Sequence, residues 1–105
     1  MNVVWTANAL QDADKAFQYA SEKFGRFQTL KLAERIRLAE ERIKTFPDAC
    51  PLEQSLLNMN SGTFRYYTLF RNLELIFHKE SNDVCIIDAV WDTRQNPSKL
   101  KNKMK

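Results

Sequence analysis

Between Phe64 and Asn96 the chain sets out Arg65, Tyr67, Arg71, Glu74, His78, Trp91 and Arg94. These residue types suit a phosphodiester. A guanidinium fork binds phosphate oxygens bidentately, and a phenol or an imidazole can carry a proton to or from a reacting oxygen. Arg65, Arg94, Tyr67 and His78 are therefore the candidate catalytic set if the protein cuts nucleic acid. Arg71, Glu74, Trp91, Arg94, Lys99 and Lys101 are the candidates for gripping a macromolecular partner. The same residues also describe a solvated sheet face, because antiparallel sheets commonly expose one side to water and Arg65 or Arg71 could pair with Glu74 or Asp88 across strands.

Metal and cofactor chemistry has less to stand on. Cys50, Cys85 and the lone His78 do not make a paired ligand motif for zinc, and no cofactor is suggested. Two free thiols are expected. With two Gly and three Pro in the whole chain, there is no room for a glycine-rich phosphate loop or a low-complexity linker, which excludes Walker-type and dinucleotide-binding enzymes.

The elements that would position these residues follow from periodicity. Val3-Val4-Trp5 is a short β-rich stretch, and Thr6 or Asn8 can cap a helix after it. Leu10, Ala13, Phe17, Ala20 and Phe24 recur at spacings of three and four and form one helical stripe, which Gly25 ends. Leu32, Ile36, Ala39, Ile43 and Phe46 repeat the pattern in a second helix, which Pro47 stops. The result is a helical hairpin.

Beyond Pro51 the residues favour strands over Phe64 to Phe70, Leu73 to Lys79 and Val84 to Trp91, broken by Arg71-Asn72 and Ser81-Asn82. That order, β-α-α-β-β-β, predicts an α+β fold: an antiparallel sheet with the hairpin on one face and the first strand beside a later one. Alternation assigns Phe64, Tyr66, Thr68 and Phe70 to the helix side. A two-residue turn at Arg71-Asn72 would then set Leu69 opposite Glu74, Tyr67 opposite Ile76 and Arg65 opposite His78. Arg65, Tyr67, Glu74 and His78 would share the face turned away from the helices. The last strand is apolar on both sides through Ile86, Ile87, Ala89 and Val90, so the direction of Asp88 stays open. Asn96 and Pro97 can cap and open a short terminal helix.

The chain has 105 residues and a formal net charge of +3, enough for one domain with one core, spanning 1–105 with a basic tail from about residue 96. Its charge is unevenly placed. Residues 93–105 hold Arg94, Lys99, Lys101, Lys103 and Lys105 and no acid, so this end is +5 and the remainder −2. Such an end suits a polyanion or an acidic protein partner, or is simply a solvated terminus. No apolar run approaches the roughly 20 residues of a membrane span, and no leader is evident, so a cytoplasmic protein without membrane association is expected.

Taken in order, Trp5-Thr6, Phe46-Pro47, Phe64-Arg65, Leu75-Ile76-Phe77 and above all Trp91-Asp92-Thr93-Arg94-Gln95-Asn96-Pro97 resemble the RelE/ParE superfamily of bacterial type II toxins. The resemblance covers nearly the whole chain. It implies a growth-inhibiting, plasmid-stabilising type of toxin, neutralised by a cognate antitoxin and acting on no small-molecule substrate. RelE-like members cut messenger RNA on the ribosome, whereas ParE-like members poison DNA gyrase. By this resemblance Arg65 stands where the nucleases place a strand lysine, and Arg94 stands near the arginine after their last strand. Tyr67 and Glu74 stand where a lysine and an arginine are expected, and Leu100 replaces an aromatic residue. Half of the nuclease pattern is thus present, which tilts the expectation toward a ParE-like gyrase inhibitor or a toxin with a divergent target, with the ribosome-dependent endoribonuclease as the alternative.

Overall fold

The computed structural model describes residues 1–104, with Ser61 described by its backbone only; Lys105, counted in the basic end above, lies outside the described residues. The order is β1 (Asn2–Trp5), α1 (Ala7–Phe24), α2 (Arg26–Thr45), β2 (Arg65–Phe70), β3 (Leu73–Lys79), β4 (Val84–Asp92) and α3 (Pro97–Lys103). Three single-turn 3-10 segments, Pro47–Ala49, Gln54–Leu56 and Asn60–Gly62, fill the stretch between α2 and β2. Helix starts and stops follow local chemistry. Thr6 caps α1 by accepting from the Ala9 amide at 3.0 Å. Gly25 closes α1 at φ 85°, a left-handed conformation that costs glycine least, and its amide reaches the Ala20 and Ser21 carbonyls. Asn96 caps α3 through the Ser98 amide, with Pro97 in the first turn.

The four strands form one sheet in the order β1-β4-β3-β2. β2, β3 and β4 are antiparallel neighbours, but β1 joins β4 in parallel, so the sheet is mixed rather than wholly antiparallel. A parallel partner requires the chain to return to its starting edge, and the intervening helices allow this.

The hairpin of α1 and α2 covers one face. Its buried stripe on α1 runs through Ala9, Ala13 and Ala20, with Ala16 and Phe17 packed beside them, while Leu10 and Phe24 are more than half exposed. Ala13, Phe17 and Ala20 thus face the core as expected, and Ala9 and Ala16 complete the stripe in place of the expected Leu10 and Phe24. On α2, Leu32, Ile36, Ala39 and Ile43 are buried as expected, whereas Phe46 lies outside the core with the Arg42 guanidinium over its ring.

The largest departure is on the second face. The turn at Arg71-Asn72 does pair Phe70 with Leu73, but a bulge at Leu69 shifts everything before it: Thr68 faces Glu74, Tyr67 faces Leu75 and Arg65 faces Phe77. A one-residue offset reverses every side chain beyond it. Tyr67 and Leu69 therefore pack toward the hairpin, and Phe64 and Tyr66 point to the opposite side. That opposite side is no open face. Leu56 from the loop segment and Leu100 from α3, with Met59 and Met104, close over Phe64, Ile76, Ala89 and Trp91 to make a second small core. The apolar residues on both sides of β4 are there because both of its faces are covered.

Leu100 is 1% exposed in a seven-residue helix and is the main apolar anchor of α3. Leu100→Ala is expected to lower stability by about 2–4 kcal/mol in urea unfolding, whereas Lys101→Ala, on the exposed side, should stay within about 0.5 kcal/mol.

Candidate functional site

Four elements meet at the end of the sheet where β2 turns into β3 and β4 runs out. α1 brings Asp12, Lys15, Ala16 and Tyr19; the β2–β3 turn brings Phe70 and Arg71; Asp92 and Arg94 follow from the last strand. Between them lies an open cleft of about 1060 Å³. Its floor is apolar and its rim is mainly cationic. Tyr19 and Phe24 meet edge to face with centroids 6.0 Å apart, at the mouth beside the hairpin tip.

The charges around this cleft are partly committed. Arg94 lays its fork on Asp92, Nε to Oδ1 at 3.0 Å and Nη2 to Oδ2 at 2.7 Å. The hydrogen bonds from Arg94 hold the Asp92 carboxyl below the usual carboxylate range, and the carboxylate raises the arginine further, with the Tyr19 phenol a lesser contributor. Lys103 of α3 reaches Asp12 of α1 at 2.7 Å, and the other oxygen of Asp12 accepts the Val90 amide at 3.2 Å. One carboxylate thus ties α1, β4 and α3 together. Sequence periodicity left Asp12 off the buried stripe, and nothing in its neighbours signals this role. Lys15 and Arg71 line the same cleft and make no ion pair among the described residues.

The expected cluster of Arg65, Tyr67, Glu74 and His78 on one face is not what the fold builds. Arg65, displaced by the bulge, donates from Nη1 to the Cys50 carbonyl at 2.5 Å. Tyr67 packs against the hairpin-side core. Glu74 and His78 lie across the sheet from them, on the second face. His78 is held between two carboxylates, Nδ1 to Asp88 at 2.7 Å and Nε2 to Glu80 at 2.8 Å, with the Phe64 ring edge-on at 5.5 Å. A second bulge, between Ile76 and Phe77, leaves Asp88 unpaired in the ladder and directs it to His78. The direction of Asp88, open from sequence, is set by that bulge.

Of the remaining candidates, Trp91 is 7% exposed and belongs chiefly to the second core, though it also borders the cleft. Lys99 and Lys101 are exposed on α3, and Arg71 is exposed on the β2–β3 turn. Arg71, Trp91 and Arg94 are brought to one place, which Glu74 does not share. Sequence reasoning missed Lys15 and Tyr19, whose cue was their position one turn apart on α1. Both cysteines are free and buried, and no cluster of three metal-ligating side chains occurs among the described residues. No described helix is long and apolar enough to cross a membrane.

The family model described as "ParE toxin of type II toxin-antitoxin system, parDE" matches residues 3–97. The chain belongs to the ParE toxin family. Among solved structures it is similar to the chromosomal ParDE TA system from P. aeruginosa, with TM-score 0.68 and 17% identity over 88% of this chain and 95% of that one. It is also similar to a YoeB/ParE toxin from Agrobacterium tumefaciens, with TM-score 0.59 and 13% identity over 88% of this chain and 98% of that one. At these identities the likeness concerns the fold. Nothing among curated proteins matches. Membership in a type II toxin-antitoxin family implies an antitoxin partner.

Two outcomes follow from this geometry. Asp12→Ala strips the Val90 amide and Lys103 of their acceptor and should cost about 1–3 kcal/mol in chemical unfolding. His78 is raised above its ordinary 6.5, first by the Asp88 hydrogen bond and then by Glu80, against the opposing effect of burial. The folded protein therefore holds this proton more tightly than the unfolded chain does. The resulting stabilisation is complete below pH 6.5 and is lost as pH rises through the elevated value. Melting followed upward from pH 6.5 should show that loss, and His78→Gln should reduce it. A His78 ring proton titrating at or below 6.5 would refute the assignment.

Proposed function

We propose that this ParE-family chain arrests growth by binding its target rather than by cutting it, with DNA gyrase as the target and a cognate antitoxin as its inhibitor. One observation carries the reading: the groups suited to phosphodiester chemistry do not converge. Arg65 is spent on a backbone carbonyl, Tyr67 is in the hairpin-side core, His78 is clamped by two acids on the other face, and Arg94 is forked onto Asp92. A general acid and a general base must both reach the reacting phosphate, and here the sheet stands between the candidates.

What does converge is a surface for a macromolecule. The cleft has an apolar floor, Lys15, Arg71 and Arg94 at its rim, and the exposed Phe24 of the hairpin tip at its mouth. An apolar cleft rimmed by charge suits a protein partner. Acidic side chains on the antitoxin or the target would meet the rim, with Lys99 and Lys101 on α3 extending the cationic field. The ribosome-dependent endoribonuclease remains the second reading, since Arg71 and Arg94 at one lip could hold an RNA phosphate.

The two readings separate in one experiment. Purified protein incubated with gyrase and relaxed plasmid should reduce supercoiling and trap cleavage complexes, with Arg71→Ala and Arg94→Ala weakening the effect severalfold. Messages from cells expressing the toxin should keep their normal ends by primer extension. New codon-positioned ends with supercoiling intact would overturn the gyrase reading in favour of the nuclease.

A further inference from the structure

Away from the cleft, the second face of the sheet contains an arrangement that neither toxin reading uses. The loop segment between α2 and β2 is sewn to the outer edge of β2: the Tyr66 amide donates to the Pro51 carbonyl at 3.0 Å, the Glu53 amide donates to the Phe64 carbonyl at 2.8 Å, and Leu52 bridges to Arg65. These bonds fix Glu53 over the sheet. Its Oε1 accepts from the Ser55 hydroxyl at 3.0 Å, whereas its Oε2 is buried without a hydrogen-bond partner. Beside it stands Glu74 of β3, half-buried and in hydrogen-bonding reach of Glu53. Two carboxylates in that position repel each other, and an unpartnered buried oxygen costs free energy. A proton resolves both problems.

We propose that Glu53 and Glu74 share one proton, and that this proton latches the 51–63 segment onto the second face of the sheet. The Glu74 carboxyl donates its O–H to Glu53 Oε2, filling the buried side-chain acceptor that lacks a donor among the described residues. Among the described residues no cation is ion-paired with either carboxylate, and β2 adds the Tyr66 phenol to this face. Across the sheet Glu74 is paired with Thr68 on β2 and Trp91 on β4. α3 contributes Leu100 and Met104 to this face, while its Lys103 is turned to Asp12 and its Lys99 and Lys101 are exposed. From the loop segment, the acid is Glu53 itself. The His78, Asp88 and Glu80 group is a separate cluster, paired within itself.

Burial and the Glu53 charge push the Glu74 carboxyl up to about 7. The closed state thus binds one more proton than the open state between pH 4.5, the ordinary glutamate value, and pH 7. The sign follows directly. Opening becomes easier as pH rises through that window, by about tenfold per pH unit, and levels off on either side. The latch is closed in acid and loosened in mild alkali.

The test reads the proton and the latch separately in the intact protein. Carboxyl carbons of ¹³C-labelled glutamate are titrated by NMR, and exchange protection of the Leu56 and Met59 amides, corrected for intrinsic rates, is measured over the same range. One glutamate should titrate near pH 7. That step should vanish in both Glu74→Gln and Glu53→Gln. Protection at Leu56 and Met59 should fall about tenfold per pH unit through the window in wild type and stay flat in Glu74→Gln, where the amide donates without titrating. Ordinary carboxylate titration of both residues would overturn the shared proton. Protection that ignores pH, or that falls equally at Phe77 in the central sheet, would overturn the latch.

Discussion

β4 has a strand on each side, β1 in parallel and β3 antiparallel, and apolar cover on both faces. Its nine residues can therefore leave few backbone groups unmet and few side chains in water. Cys85, Ile87 and Val90 join the hairpin-side core, and Ala89 and Trp91 join the second core, so removing one covering layer would expose the other side of the same strand. The covering layers are themselves tied to it. Asp12 on α1 takes the Val90 amide and the Lys103 ammonium together, fixing the distance between the hairpin, the central strand and the terminal helix. The cleft has its shape because these three elements are held at that distance.

The elements themselves were largely legible from sequence. Apolar spacing of three and four identifies both helices, Thr6 and Gly25 mark ends that the structure places there, and Asn96-Pro97 opens the terminal helix by the chemistry its residues suggest. Parallel pairing of β1 was not legible, since a four-residue strand carries no mark of its partner's direction. Strand faces were not legible either. The β2–β3 turn is the expected one, yet the bulge at Leu69 uncouples turn from register, and no residue type near it announces an extra position in the ladder. The Arg35 guanidinium approaches the bulged Leu69 carbonyl at 3.5 Å and lies over the Phe70 ring, a long-range contact invisible to local reading. One offset of this kind was enough to reverse the side on which Arg65 and Tyr67 stand.

Part of the missing information was nevertheless present in β4. Ile86, Ile87, Ala89 and Val90 make an apolar run without clean alternation, and such a run belongs to a strand covered on both faces. Taken at face value, it requires apolar cover from elsewhere in the chain, and unassigned apolar residues were at hand, among them Leu56, Met59, Leu100 and Met104. Those four are the residues that build the second core. The basic end is reinterpreted by the same logic. Lys99, Lys101 and Lys103 share a helix with Leu100, so that much of what composition presents as a charged tail is an amphipathic helix with one buried anchor and a cationic side.

That arrangement bears on where this fold places the residues of β2 and β3. Arg65 and Tyr67 of β2 would share a surface with Glu74 and His78 of β3 only if the pairing kept simple alternation through the turn. The Leu69 bulge sends Arg65 and Tyr67 to the hairpin side and leaves His78 and Glu74 opposite, so changing residue types alone could not reunite them. Asp88, directed by the second bulge, then takes the histidine into an ion-paired cluster with both ring nitrogens occupied. A base must have a free lone pair, and a histidine protonated between two carboxylates has none. The cationic cleft lies at the far end of the sheet, where backbone turns rather than strand faces present Arg71 and Arg94. Recognition through charge and shape can use that placement, since it needs complementary surfaces rather than a pair of proton-transfer groups at one atom.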